Sequence, residues 1–96
     1  DVSWREVLAP EALTAAPVTT TARATLVAFW WGDGGVANDK TAVPDGGFEV
    51  IDSVLQEGEL VQCAVATKEV AEPGTYTVTW ATSPVQGAQL WLVAVQ

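Results

Sequence analysis

Ala24-Thr25-Leu26-Val27-Ala28-Phe29-Trp30-Trp31 decides the fold class. Side chains alternate across a strand, so Thr25, Val27, Phe29 and Trp31 share one face and Ala24, Leu26, Ala28 and Trp30 share the other. Both faces are apolar. Such a strand is buried on both sides, or its outer face meets something. The run is expected to start at Val18 and to stop at Gly32-Asp33-Gly34-Gly35. The last stretch repeats the pattern, setting Ala88, Leu90, Leu92 and Ala94 against Trp91, Val93 and Val95.

Between these two runs, Gly and Pro mark turns at Pro44-Asp45-Gly46-Gly47, Gln56-Glu57-Gly58, Glu72-Pro73-Gly74 and Ser83-Pro84-Val85-Gln86-Gly87. They delimit expected strands at Phe48–Val54, Glu59–Val70 and Thr75–Thr82. In the second of these, Cys63 is expected inside with Val61 and Val65, and Gln62, Ala64, Ala66 and Lys68 outside. In the third, Tyr76, Val78 and Trp80 are expected to point inward. Short strands at regular turn spacing, with no long helical pattern, predict an all-β antiparallel β-sandwich, jelly-roll or Ig-like.

Residues 1–17 read differently. Ser3-Trp4-Arg5-Glu6 has capping-box spacing, with Trp4, Val7 and Leu8 on one side of a helical turn. Pro10 and Pro17 bracket an Ala- and Leu-containing segment. The expectation is an N-terminal arm with a short helical turn over 1–17, followed by a β-sandwich domain over 18–96. The apolar side chains of the arm, Trp4, Val7, Leu8 and Leu13, need a groove on this chain or a neighbour. The chain starts at Asp1 and contains no Met, so a segment upstream is expected to have been removed.

Composition narrows the function classes. Twelve acidic and 4 basic residues give a net charge of −8, which disfavours nucleic acid and anionic membrane surfaces. The apolar runs are far shorter than the ~20 residues of a spanning helix, so no membrane insertion is expected. Charged residues supply only 17% of the chain, against a usual share of about 25%, so polar surface is scarce.

No His is present, which removes Ser–His and Cys–His pairs and the commonest general base. The lone Cys63 forms no internal disulfide. No Gly-rich loop has the Lys-Ser/Thr pair that cradles phosphate. The expectation is therefore a non-enzymatic protein with no cofactor. Asp33, Asn38, Asp39 and Asp45 crowd neighbouring loops and have the oxygen chemistry of a calcium site. They lack EF-hand spacing, and Asp and Asn are also ordinary turn residues.

Five Trp in so short a chain is the unusual feature. Trp30 and Trp31 are adjacent and cannot both point inward. The same holds for Trp91 beside Leu90 and Leu92. An outward Trp is an interface anchor or a stacking platform for sugar rings. The candidate assembly residues are Trp4, Val7, Leu8, Leu13, Trp30, Trp31 and Trp91.

Three pieces together resemble small β-sandwich modules of tailed-phage structural proteins and bacterial surface or secreted proteins. They are Pro44-Asp45-Gly46-Gly47-Phe48, Val65-Ala66-Thr67-Lys68 and Gly74-Thr75-Tyr76-Thr77-Val78-Thr79-Trp80, following the strand at Ala24–Phe29. Gly47 is an extra residue and Phe48 replaces the usual Trp of that pattern. The resemblance covers Ala24–Val95 and implies a non-catalytic module of a virion or extracellular assembly, such as a capsid decoration, fibre or filament subunit. Its expected partners are copies of itself or a larger protein lattice. The alternative is a carbohydrate-binding module that holds a glycan on outward Trp residues.

Overall fold

The computed structural model describes residues 2–7, 13–33, 43–56, 61–81 and 88–96, with the backbone alone described at 4–7, 33, 55, 56, 61 and 81. The protein is all-β and antiparallel, and no helix occurs among the described residues. Its strands are β1 (Val2–Val7), β2 (Leu13–Thr14), β3 (Val18–Thr20), β4 (Ala24–Asp33), β5 (Val43–Pro44), β6 (Glu49–Gln56), β7 (Val61–Val70), β8 (Gly74–Tyr76), β9 (Thr79–Ala81) and β10 (Ala88–Val95).

A five-stranded sheet in the order β1-β10-β4-β7-β6 forms the main layer. β10, β4 and β7 lie inside it, each flanked by a strand on both edges. Two smaller sheets, β2-β9-β5 and β3-β8, supply the second layer. These behave as one interrupted ladder. Leu13 pairs with Trp80 and Thr14 with Thr79, Ala15 N–H donates to the Val78 carbonyl, and pairing resumes with Val18 opposite Tyr76 after a shift of one residue. The Thr77 hydroxyl bridges the break by donating to the Ala15 carbonyl at 2.6 Å.

One core joins the layers, an arrangement consistent with a β-sandwich. Leu26 and Trp30 of β4 and Leu90 and Leu92 of β10 meet Leu13, Val18, Val78 and Trp80 of the second layer, all at most 2% exposed. The large residues alternate with Ala24, Ala28, Ala64, Ala66, Ala88 and Ala94. These small side chains leave the volume that two indoles need in a close-packed interior.

Two corners fix the ends of the layers. In Asp45-Gly46-Gly47-Phe48, both glycines have positive φ (68° and 83°), the pair of left-handed positions that a type I′ turn requires. Lys68 holds this turn, its Nζ donating to the Gly46 carbonyl at 2.6 Å and lying 5.8 Å from the centre of the Phe48 ring. At the other corner, the Tyr76 hydroxyl donates to the carbonyl of Glu72, four residues upstream.

Four expectations need correction. Val2–Val7 is a strand, not a helical turn, and pairs with β10 from Val2 opposite Val93 to Val7 opposite Ala88. A six-residue helix is marginal in water, whereas an extended segment finds a ready set of partners along β10. The Ser3 hydroxyl donates to the Ala16 carbonyl instead of capping a helix. The expected strand from Val18 to Trp31 is two strands in different sheets, separated at residues 21–23. Likewise, the expected strand from Thr75 to Thr82 is β8 and β9.

The fourth correction concerns β7, whose facing is inverted. Gln62, Ala64 and Ala66 are buried at 0–2%, and Cys63 lies on the other face. The cause is the register. Trp30 pairs with Ala64 and Ala28 with Ala66, and paired residues share a face. A Val or Cys in those rows would crowd Trp30.

Candidate functional site

The five-stranded sheet has one covered face and one that carries large apolar side chains outward. Two adjacent rows build the outward face. Trp91, Phe29 and Val65 form the first, and Gln89, Trp31, Cys63 and Val54 the second. Rows two residues apart are separated by about 7 Å, and four strands span about 15 Å. Trp31 is 60% exposed, Phe29 39% and Trp91 37%. Together with Val65, Val93 and Cys63 they line an open groove of about 420 Å³.

At about 200 Å² per aromatic side chain, those exposed fractions leave roughly 270 Å² of aromatic surface in one place. Val54, at 55%, extends the apolar area onto β6. Contiguous apolar patches of a few hundred Å² mark interaction sites. Covering the aromatic part alone releases up to about 7 kcal/mol at 25 cal/mol per Å², before the cost of ordering two partners.

The seven candidate assembly residues separate. Trp31 and Trp91 are on the outward face. Trp30, at 1% exposure, and Leu13, at 2%, are core residues of this chain and are not available to a neighbour. Their burial follows from the rows, since Trp30 faces Ala64 and Leu90 while Leu13 pairs with Trp80. Trp4 and Val7 take backbone positions in β1 opposite Trp91 and Ala88. Leu8 lies outside the described residues.

Of the oxygen ligands considered for calcium, Asp45 has a structural task. Its carboxylate accepts from the Thr79 N–H at 3.0 Å, and its own N–H donates to the Thr79 carbonyl at 2.9 Å. The backbone of Asp33 ends β4 opposite Val61, and Asn38 and Asp39 lie outside the described residues. Among the described residues, no three His, Cys, Asp or Glu side chains gather as a metal would require.

Cys63 is half-buried beside Trp31. Burial pushes its thiol above the ordinary value of 9.0, the direction that disfavours a nucleophilic thiolate. The groove therefore offers apolar contact and little chemistry, with the Gln89 amide the main hydrogen-bonding side chain along it.

Alternation within β4 already placed Phe29 beside Trp31, so this half of the face was available from sequence. Val65 and Cys63 were missed because the β7 facing was inverted, and Val54 because the bulge between Val50 and Asp52 shifts the alternation of β6. The clue was volume, since Ala64 and Ala66 are the only small residues in β7 that can sit beneath Trp30.

No family model, curated protein or solved structure matches the chain.

Proposed function

We propose that the protein is a non-enzymatic structural subunit that docks on a larger protein assembly through the outward face of its five-stranded sheet. The observation that carries this is the cluster of Trp31, Phe29 and Trp91, held outward by interior strands rather than by loops. A rigid sheet presents these rings at little ordering cost, as an interface anchor requires. The fold we propose beneath it is a β-sandwich of Ig-like character. The Tyr76-to-Glu72 bond has the form of the tyrosine corner of such sandwiches. The resemblance of the turn and strand motifs extends the setting to a virion or an extracellular assembly.

The docking element moves from the N-terminus to the sheet. An arm free to complete a neighbour does not fit a segment whose backbone pairs along the whole of β1 with β10. A glycan platform is the competing use of the same rings. Sugars need hydrogen-bonding side chains close around the stacking ring. Within the groove lining the only side-chain amide is that of Gln89, while the carboxylates of this face stand outside the lining.

Two assays separate these uses. Nile red, a neutral apolar dye, is expected to fluoresce on the folded chain and to lose that signal in Trp31→Ser, while a glycan array stays silent. Glycan retention that Trp31→Ser abolishes would transfer the face to sugar binding. A dye signal unaffected by Trp31→Ser would remove the face from consideration.

A further inference from the structure

The charges around the outward face say what kind of surface covers it. Glu49 pairs with Thr67, Asp52 with Val65 and Glu69 with Thr25, which puts all three carboxylates on the outward side of the sheet. Glu69 is held in place by the Thr25 hydroxyl, which donates to Oε1 at 2.7 Å. Glu6 occupies the β1 position of the row that contains Gln89 and Trp31.

The chain has 4 basic residues, and neither Lys68 nor Arg5 has its position in an outward row. Lys68 pairs with Leu26 of the core row and is tied to the Gly46 carbonyl. Arg23 precedes β4. Arg5 has its backbone position opposite Leu90, another core-row residue. Lys40 lies outside the described residues. The groove is thus an apolar centre whose flanking paired rows carry carboxylates and no described cation.

We propose that the natural occupant is a protein surface with an apolar centre and Lys or Arg around it, and not a second copy of this chain. This rests on the docking role given to the face above. Complementary rim charges steer the approach and fix the register, while like charges set face to face are penalised. A second copy brings the same carboxylates and a net charge of −8 to the contact. A partner with a basic rim pairs them while its centre covers Trp31, Phe29 and Trp91.

Two synthetic peptides test this. They share one set of Leu and Trp residues and differ only in carrying Lys or Glu at every other position. Fluorescence polarisation with the folded chain is expected to show the Lys peptide binding at least about tenfold tighter, with the preference shrinking as salt rises. In the triple variant Glu49→Gln, Asp52→Asn, Glu69→Gln the preference should collapse, and in Glu72→Gln, a charge in the β7–β8 turn, it should persist. Trp31→Ser should abolish binding of the Lys peptide. Should the triple variant fail to fold, the salt series on the unaltered chain separates the same two outcomes.

Equal binding of both peptides, or a preference that survives the triple variant or high salt, overturns the basic partner and leaves the docking role standing. A dimer seen by light scattering and lost in Trp31→Ser gives the face to a second copy and likewise overturns it. If neither peptide binds and Nile red is also insensitive to Trp31→Ser, the docking role falls as well.

Discussion

The two faces of the five-stranded sheet both carry large aromatic side chains, and these have opposite fates. On the inner face, Leu26, Ala28, Trp30, Ala64, Ala66, Leu90 and Leu92 are no more than 2% exposed. On the outer face, Phe29, Trp31 and Trp91 are 37–60% exposed although they lie in the same strands, β4 and β10. The inner face mixes very large and very small side chains, which lets a second layer approach. The outer face carries no alanine in its paired rows on β4, β7 and β10 and sets Phe29, Trp31 and Trp91 beside Val27, Val65 and Val93. Packing volume at the centre and carboxylates at the margin distinguish the outer face from the inner one.

The largest test removes what the second layer gives the inner face. Deleting residues 1–16 takes away β1, which covers the β10 edge, together with Leu13 and Ala15 of the core. The product is expected to lack cooperative unfolding by circular dichroism. A folded product would restore the free arm anticipated from the sequence.

The adjacent indoles give the next largest contrast. Trp30→Ala should cost about 3–5 kcal/mol, as truncation of a buried aromatic does, and that is a large part of a small domain's stability of about 5–15 kcal/mol. Trp31→Ala should stay within about 0.5 kcal/mol of the parent, the usual range for surface sites. Urea midpoints of the two variants measure the difference, and similar losses would erase the distinction between the faces.

A smaller effect of opposite sign belongs to Gln62. Its side chain is fully buried, and both its Nε2 and Oε1 lack a hydrogen-bond partner among the described residues, as do Trp30 Nε1 and Trp80 Nε1. An unsatisfied buried amide costs about 1–3 kcal/mol. Gln62→Met, of similar length and volume, should therefore raise the urea midpoint. A lower midpoint would mean that the amide has a partner in the folded chain.

The smallest effect is that of Cys63 on pH dependence. Burial raises its folded pKa above the ordinary 9.0, so the folded state holds the proton more tightly than the unfolded state. The resulting stability is complete below that ordinary value and is lost as pH rises through the folded pKa. A slight decline in the urea midpoint at alkaline pH should thus be reduced in Cys63→Ala. An identical decline in the variant would place its origin elsewhere.

Much of the fold was legible in the alternating runs. The facing of β4 and β10 and the inward turn of Val78 and Trp80 follow from period-two patterning between Gly and Pro turns. The breaks at residues 21–23 and between β8 and β9 were not legible, because no Gly or Pro marks the crossing from one sheet to the other. Ser3 and Glu6 carry the spacing of a helix cap, yet long-range pairing with β10 overrides so short a local signal. Cys63 and Val65 look more like core residues than Ala64 and Ala66 do. Only their register against Trp30 shows that the alanines must be inside. For the same reason, Trp31 was legible as a candidate outward ring, while the groove beside it was only half visible.

The most direct measurement compares Trp30 and Trp31 within one folded molecule. Hydroxyl-radical footprinting, read by tandem mass spectrometry of the peptide that contains both, reports the solvent access of each ring without altering the chain. Rapid oxidation of Trp31 is expected, with Trp30 protected until the fold is denatured. Equal oxidation of both rings, or protection of Trp31 with oxidation of Trp30, would contradict this expectation.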